Sequence, residues 1–227
     1  MTFCILLYFY QSIDWEVGNF IMNTEEAIHN SAVQLFAEKG FEATSIRDIA
    51  RVAGINSATL YHYIKSKDEL LINVMVKDLN KLLNVAIKVV NQFNDPGEKL
   101  CALSYLHVKL HASNQLSMIV TDHEYKSLYG EHKEKIKSLR KQYETLWLDT
   151  VQQGIDESKF GLVENVKLNT FALLSMNTGV VHWFKPNGKL SISAISETYA
   201  KSSLHLVGLK FQNMQHVFGV VEKETEQ

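Results

Sequence analysis

The sequence predicts an all-α protein in two parts, a short N-terminal three-helix unit followed by a longer C-terminal helical bundle. Only two prolines occur in 227 residues, Pro96 and Pro186, each inside a turn signal, "NDPG" and "KPNG". No run of alternating β-branched residues is long enough for a sheet. Apolar residues recur instead at helical spacing, with cap and stop signals between the runs.

The first helix is expected from Thr24 to Lys39, with Ile28, Ala32, Leu35 and Phe36 on one stripe and Gly40 as its stop. Thr24 is its expected N-cap, and Glu25 and Glu26 follow where the helix dipole favours carboxylates. "SIRDIARVAG" opens a second helix with a capping box, Ser45 and Asp48, turns Ile46, Ile49, Ala50 and Ala53 inward, and stops at Gly54. "NSATLYHYI" restarts a short third helix from Asn56 or Ser57 to Ile64, and Leu60 and Ile64 form its inner face. A second capping box, Ser66 with Glu69, begins a long fourth helix that reaches Val90. Beyond "NDPG" the runs lengthen: Glu98 to Ser113, a less regular stretch over 114–129, Lys133 to Gln153, then 163–184 and 191–210. The charged ending "VVEKETEQ" reads as a flexible tail. The expected domains are therefore an extension over 1–22, a helix-turn-helix domain over 23–70, a ligand-binding and dimerisation domain over 71–212, and a tail over 213–227.

Composition excludes several classes. Charged residues at 21% and apolar residues at 46% fit a globular chain rather than a disordered one. Cys4 and Cys101 lie far apart without CxxC spacing, which argues for a reducing, cytoplasmic compartment and against a disulfide framework or a zinc site. The apolar opening "MTFCILLYFY" lacks the basic flank and cleavage site of a signal peptide and is too short to span a bilayer, so no membrane association is expected. Because Met22 directly precedes a helix start, residues 1–21 read as a loose extension or a mis-called start. No nucleophile triad, P-loop or dinucleotide fingerprint occurs, so no enzyme and no cofactor are expected.

A net charge of −2 carries no information about nucleic acid, but its distribution does. Residues 45–67 hold Arg47, Arg51, Lys65 and Lys67 against Asp48 alone, a net +3. Residues 23–44 hold four glutamates against Lys39, a net −3. Two short helices joined by a glycine turn, with a supporting helix in front, are the arrangement of a helix-turn-helix, whose second helix enters the major groove. Small residues at its start permit close backbone approach, Thr59 offers a hydroxyl and a methyl, and Tyr61 offers a phosphate-reaching hydroxyl on a rigid stem. Each phosphate neutralised adds a salt-dependent increment to affinity, so a few cations per subunit suffice when a homodimer doubles them.

"FAEKGFEATSIRDIARVAGINSATLYHYIKSKDELL" resembles the DNA-binding domain of the TetR/AcrR family of transcriptional regulators, with Phe36, Gly40, Thr44, Ile49, Ala50, Ala53, Gly54, Leu60, Tyr61, Lys67 and Leu70 in the family's pattern. Asn56 stands where serine is common and Ile64 where phenylalanine is usual. The resemblance implies DNA contacts from Ser45, Arg47, Ser57, Ala58, Thr59, Tyr61, Tyr63 and Lys67, with His62 as a further candidate. It also implies an effector pocket in the C-terminal body and dimerisation through the last two long helices, where 163–184 and 191–210 are apolar over a wide arc. The partners so implied are a double-stranded operator, a small-molecule effector and a second copy of the chain.

Tyr105, His107, His111, Met118, Tyr125, Arg140, Tyr143, Trp147, Phe171 and Asn177 are candidate pocket residues, since aromatics with scattered polar groups are the composition of a mostly apolar ligand site. Plain core is the competing reading for each. "VHWFKPNGKLS" and "DHEYKSLY" resemble the family's acyl-CoA-responsive subgroup of fatty-acid and sterol-side-chain breakdown. That resemblance implies a fatty acyl chain in the bundle, with Lys137, Arg140 or Lys141 near the CoA phosphates. A hydrophobic drug or aromatic effector is the alternative ligand. A reading of another class sets His107 and His111, four residues apart, with His123 and Glu124 as a metal site of a helical metalloprotein.

Overall fold

The computed structural model describes residues 23–210 and 213–226, so expectations about the N-terminal extension lie outside the described residues. The order is α1 (Thr24–Lys39), α2 (Ile46–Val52), α3 (Ser57–Tyr61), α4 (Lys67–Val90), α5 (Pro96–Ser113), α6 (Gln115–His123), a 3-10 turn (Glu124–Ser127), α7 (Gly130–Asp156), α8 (Val166–Thr178), α9 (Val180–Trp183), α10 (Ile192–Leu206) and α11 (Gln215–Thr225). No strand occurs among the described residues, and no helix there is long and apolar enough to cross a membrane.

Short side chains set the helix starts. Asn23, one residue before the expected cap, accepts a hydrogen bond from the Glu25 amide at 3.3 Å, and Thr24 is already helical. Ser45 and Asp48 close the expected capping box, with the Asp48 amide donating to Ser45 Oγ at 3.1 Å. Asn56 caps α3, accepting from the Thr59 amide at 2.7 Å. At α4, Ser66 accepts from the Glu69 amide at 3.0 Å, but the Glu69 carboxylate turns to the Lys65 amide, so this second box is only half formed. Asp95 caps α5 with Pro96 in its first turn, where the missing N–H needs no partner, so this helix starts earlier than expected.

Two main cores meet along α4. Leu70, Leu71, Val74, Met75 and Leu79 join Ile28, Leu35, Phe36, Ile49, Leu60 and Ile64 in an N-terminal core. Leu82, Leu83, Ala86 and Val89 enter the core of the body with Leu100, Leu103, Leu106, Trp147, Leu173 and Leu204. Each buried Leu, Ile, Val, Met or Phe among them contributes roughly 1.5–3 kcal/mol by leaving water. The expected boundary at residue 70 thus falls inside a continuous helix, and the N-terminal core is completed by Val120, Leu128 and Ile136 from the body.

The structure corrects two further expectations. The stretch 163–184 is divided into α8 and α9 at Gly179. The C-terminal stretch expected to fray forms α11, whose Val217, Phe218 and Val221 are buried in the body core. Its charged residues mark the outer face of an amphipathic helix: Phe218 stacks on Tyr105 at 4.7 Å, Glu222 accepts from Tyr105 and pairs with Lys109, and Gln92, in the turn after α4, donates to Glu224 at 3.0 Å.

Candidate functional site

The N-terminal unit presents α3 on a tight turn. Gly54 has φ +70°, a conformation only glycine adopts without strain, and the Ile55 amide returns to the Ala50 carbonyl at 3.0 Å. Leu60 (0% exposed) and Ile64 (4%) anchor the inner side of this stretch, while Tyr61 (56%) and Tyr63 (43%) point outward. The helix proper ends at Tyr61, shorter than the expected limit of Ile64. Ala58 and His62 are exposed, Ser57 and Thr59 half-buried, and Thr59 Oγ1 donates to the cap at Asn56 Oδ1, 3.1 Å away.

Two of the expected cations differ in availability. Arg51, not Arg47, pairs with Asp48, at 2.8 Å, and the Ser45 hydroxyl hydrogen bond holds the Asp48 carboxyl below its ordinary value. Arg47 is exposed and makes no ion pair among the described residues, and Ser45 is exposed beside it. Lys67 turns inward: its ammonium donates to the Phe41 carbonyl at 2.7 Å and lies 4.2 Å from the centre of the Phe41 ring. That amine ties the start of α4 to the loop after α1.

The body holds a half-open cavity of about 240 Å³ between α4, α5, α6, α7, α8 and α9. Leu79, Leu82, Met118, Ile119, Leu174 and Val181 form its apolar walls, and His107, His111, Tyr143 and Thr178 its polar side. Asp122, Arg140, Glu144, His182 and Thr121 complete the lining. Five of the ten pocket candidates, His107, His111, Met118, Arg140 and Tyr143, therefore meet at one cavity. The other five do not. Asn177 is locked in a buried polar node, accepting from Ser104 Oγ at 2.6 Å and donating to the Leu173 carbonyl at 2.7 Å. Tyr105 is covered by α11, Trp147 is fully buried core, Tyr125 packs toward the N-terminal core under Arg140, and Phe171 is 38% exposed on α8 beside Lys167. Packing claims Asn177, Tyr105, Trp147 and Tyr125, whereas Phe171 faces outward from α8.

The two histidines stack with ring centres 3.7 Å apart. His107 Nδ1 lies 3.0 Å from the Tyr143 hydroxyl and its Nε2 3.0 Å from Thr178 Oγ1. Burial, reinforced by His111, holds His107 well below its ordinary value, and burial brings His111 to about 4. Both rings are thus neutral at pH 7, and burial pushes the Tyr143 phenol up. With both His107 nitrogens engaged, and Glu124 committed to the Phe41 amide and the Ser127 hydroxyl, the metal reading loses two of its ligands. No three His, Cys, Asp or Glu side chains converge on a metal position among the described residues. Cys101 is buried, with its thiol pushed up to about 12, and is no nucleophile.

The cavity and the reading helices are joined by α6. Four of its residues line the cavity, and the turn that follows presents Glu124 Oε1 to the Phe41 amide at 3.1 Å in a buried hydrogen bond. Arg140 holds the end of the same helix by donating to the Thr121 carbonyl at 2.6 Å. The sequence marks Glu124 only as a possible ligand, since nothing local shows that it faces a residue 83 positions earlier.

Residues 28–74 match the family pattern described as bacterial regulatory proteins, tetR family, and residues 94–207 match the tetracyclin repressor-like C-terminal domain. The transcriptional repressor KstR2 of Mycolicibacterium smegmatis is 29% identical over 170 residues, covering 74% of this chain and 82% of that protein. The crystal structure of the regulator PfmR from Thermus thermophilus is similar at TM-score 0.72 and 31% identity, over 81% of this chain and 99% of that one. AibR, solved in complex with isovaleryl coenzyme A and operator DNA, is similar at TM-score 0.70 and 26% identity, over 79% and 97% of the two chains. Its helices, its exposed α3 and its matched regions establish that this chain belongs to the TetR family of DNA-binding transcriptional regulators and is not an enzyme.

Proposed function

We propose that this protein is a homodimeric repressor that leaves a palindromic operator when its cavity takes up the acyl group of an acyl-coenzyme A. One observation carries the switch: the helix that lines the cavity, α6, leads directly into the turn that hydrogen-bonds the reading domain at Phe41. A ligand that displaces α6 changes how the reading domain sits on the body. The shift in population off DNA equals the ligand's differential affinity for the two arrangements. Two α3 helices about 34–36 Å apart would enter successive major grooves. In that complex Ser45, Arg47, Ser57, Ala58, Thr59, Tyr61, His62 and Tyr63 face the duplex.

Three features support the effector and the dimer. The cavity, at about 240 Å³, is smaller than the roughly 300–1,000 Å³ that enclose a whole drug-sized ligand, so it suits the acyl end of a larger molecule whose remainder stays outside. Lys137 and Lys141 stand on the exposed side of α7 in pairs with Glu134 and Glu144, exchangeable contacts that phosphates can replace. AibR, of the same fold, was captured with an acyl-coenzyme A. For the dimer, Leu168 (65% exposed) and Phe171 display an apolar face on α8 that a second copy would cover.

The deciding experiment is footprinting of the DNA flanking the gene, followed by gel shifts against an acyl-CoA chain-length series and a panel of hydrophobic drugs and aromatic acids. Release by one window of acyl chain lengths is the expected result. Operator affinity unchanged across the series, with release by a drug or aromatic compound, would replace the acyl-CoA reading by the alternative.

A further inference from the structure

The polar atoms of the cavity are not equivalent. Both nitrogens of His107 have partners, Tyr143 and Thr178. His111 Nδ1 lies 2.8 Å from the carbonyl oxygen of His107, and a carbonyl only accepts, so Nδ1 carries the ring proton. A neutral ring with its proton on Nδ1 has a bare lone pair on Nε2. Among the described residues no group donates to that atom, and His111 forms part of the cavity wall. An acceptor that opens on the cavity without a protein donor is a site that a ligand donor can complete.

The surroundings narrow what that donor can be. Leu79, Leu82, Met118, Leu174 and Val181 make the adjoining walls apolar, which favours a hydrocarbon chain with one polar substituent over a polar ligand. Arg140, the cavity's one arginine, already donates to the Thr121 carbonyl and lies 3.6 Å from Asp122. A carboxylate on the chain would therefore meet the His111 lone pair without a free cation to offset it. At His111 Nε2 a ketone, which only accepts, would set two lone pairs against each other, whereas the cavity's other polar atom without a partner, Thr121 Oγ1, is a hydroxyl that can donate or accept.

We propose that the effector's acyl chain carries a hydroxyl group, and that His111 Nε2 accepts its hydrogen bond. This makes His111 the residue that separates hydroxyacyl from saturated and oxoacyl effectors. The inference rests on the acyl-coenzyme A reading above for the part of the ligand outside the cavity.

The test is calorimetric binding to the purified full chain. The probes are hexanoyl-CoA, its derivatives with a hydroxyl at each carbon from the third to the sixth, and the matching oxo compounds. At one position the hydroxyl compound should bind about tenfold tighter than both counterparts. His111→Leu should abolish that preference, whereas His111→Gln, whose amide can donate to the His107 carbonyl and accept at its oxygen, should retain it. Operator binding by each variant reports that it has folded, and if H111L does not fold, the wild-type series and H111Q decide. Equal or tighter binding of the oxo or unsubstituted compounds at every position overturns the proposal, as does a preference that survives H111L. The same series as N-acetylcysteamine thioesters, which lack the nucleotide, keeps the two readings apart. A hydroxyl preference there with no gain from coenzyme A overturns the coenzyme A reading alone, coenzyme A binding without a hydroxyl preference overturns the present inference alone, and no binding of either series overturns both.

Discussion

Acidification tests the stacked imidazoles directly. His107 and His111 are held below the ordinary value of 6.5, His111 to about 4, chiefly because burial disfavours the charged form. In the unfolded chain both would titrate near 6.5, so between the two values the unfolded state binds protons that the folded state refuses. Stability from these groups is therefore complete above about pH 6.5 and is lost as pH falls from about 6.5 toward 4. For His111 alone the loss between pH 7 and pH 5 is about 2 kcal/mol per subunit by proton linkage, and His107 adds to it in the same direction. The assay is urea unfolding at fixed chain concentration at pH 7, 6 and 5, for the wild type and for His111→Gln, which does not titrate. His29, also lowered by burial, is common to both proteins and cancels in the comparison. The expected outcome is that the stability difference moves by about 2 kcal/mol in favour of H111Q on going from pH 7 to pH 5. A difference that stays flat over that range would refute the assignment of a buried, neutral His111.

Three further outcomes follow from named contacts. Arg47→Ala should weaken operator binding and lower the salt-dependence slope by about 1 per subunit, while Lys67→Met should leave the slope intact and cost about 1 kcal/mol of stability, because its ammonium is bonded to the Phe41 carbonyl; gel shifts over a salt series and urea melts separate the two. Phe218→Ala should destabilise the fold by roughly 3–5 kcal/mol, measured by urea unfolding, since it removes the ring that α11 stacks on Tyr105. Gly154→Ala should cost about 1–3 kcal/mol in the same measurement, because a Cβ on that helix would overlap the Phe160 ring.

The N-terminal unit was the most legible part of the sequence because its signals are local. Ser45, Asp48, Asn56 and Ser66 act within three residues of themselves, and the stripe of Ile28, Ala32, Leu35 and Phe36 needs only helical periodicity. The body was harder to read for a physical reason. α5 is wrapped by neighbours, so nearly every residue from Leu100 to Val108 is buried and no polar face reports its orientation. A sequence in that state shows that Tyr105 and His107 are inside, but not that one faces α11 and the other the cavity. Asn177 illustrates the same limit, since its partners Ser104 and Ser203 lie on other helices. The stretch 213–227 reads as a frayed tail because its charges outnumber three buried side chains that only the folded body makes meaningful.

The contribution of Val120, Leu128 and Ile136 to the N-terminal core has a practical meaning for engineering. A chimaera that transplants residues 23–70 onto another sensor would leave that core open on one side and the Phe41 amide without Glu124. Reader domains should therefore exchange successfully between regulators only when these four residues travel with them, which makes the turn after α6 as much a part of the transferable module as α3 itself.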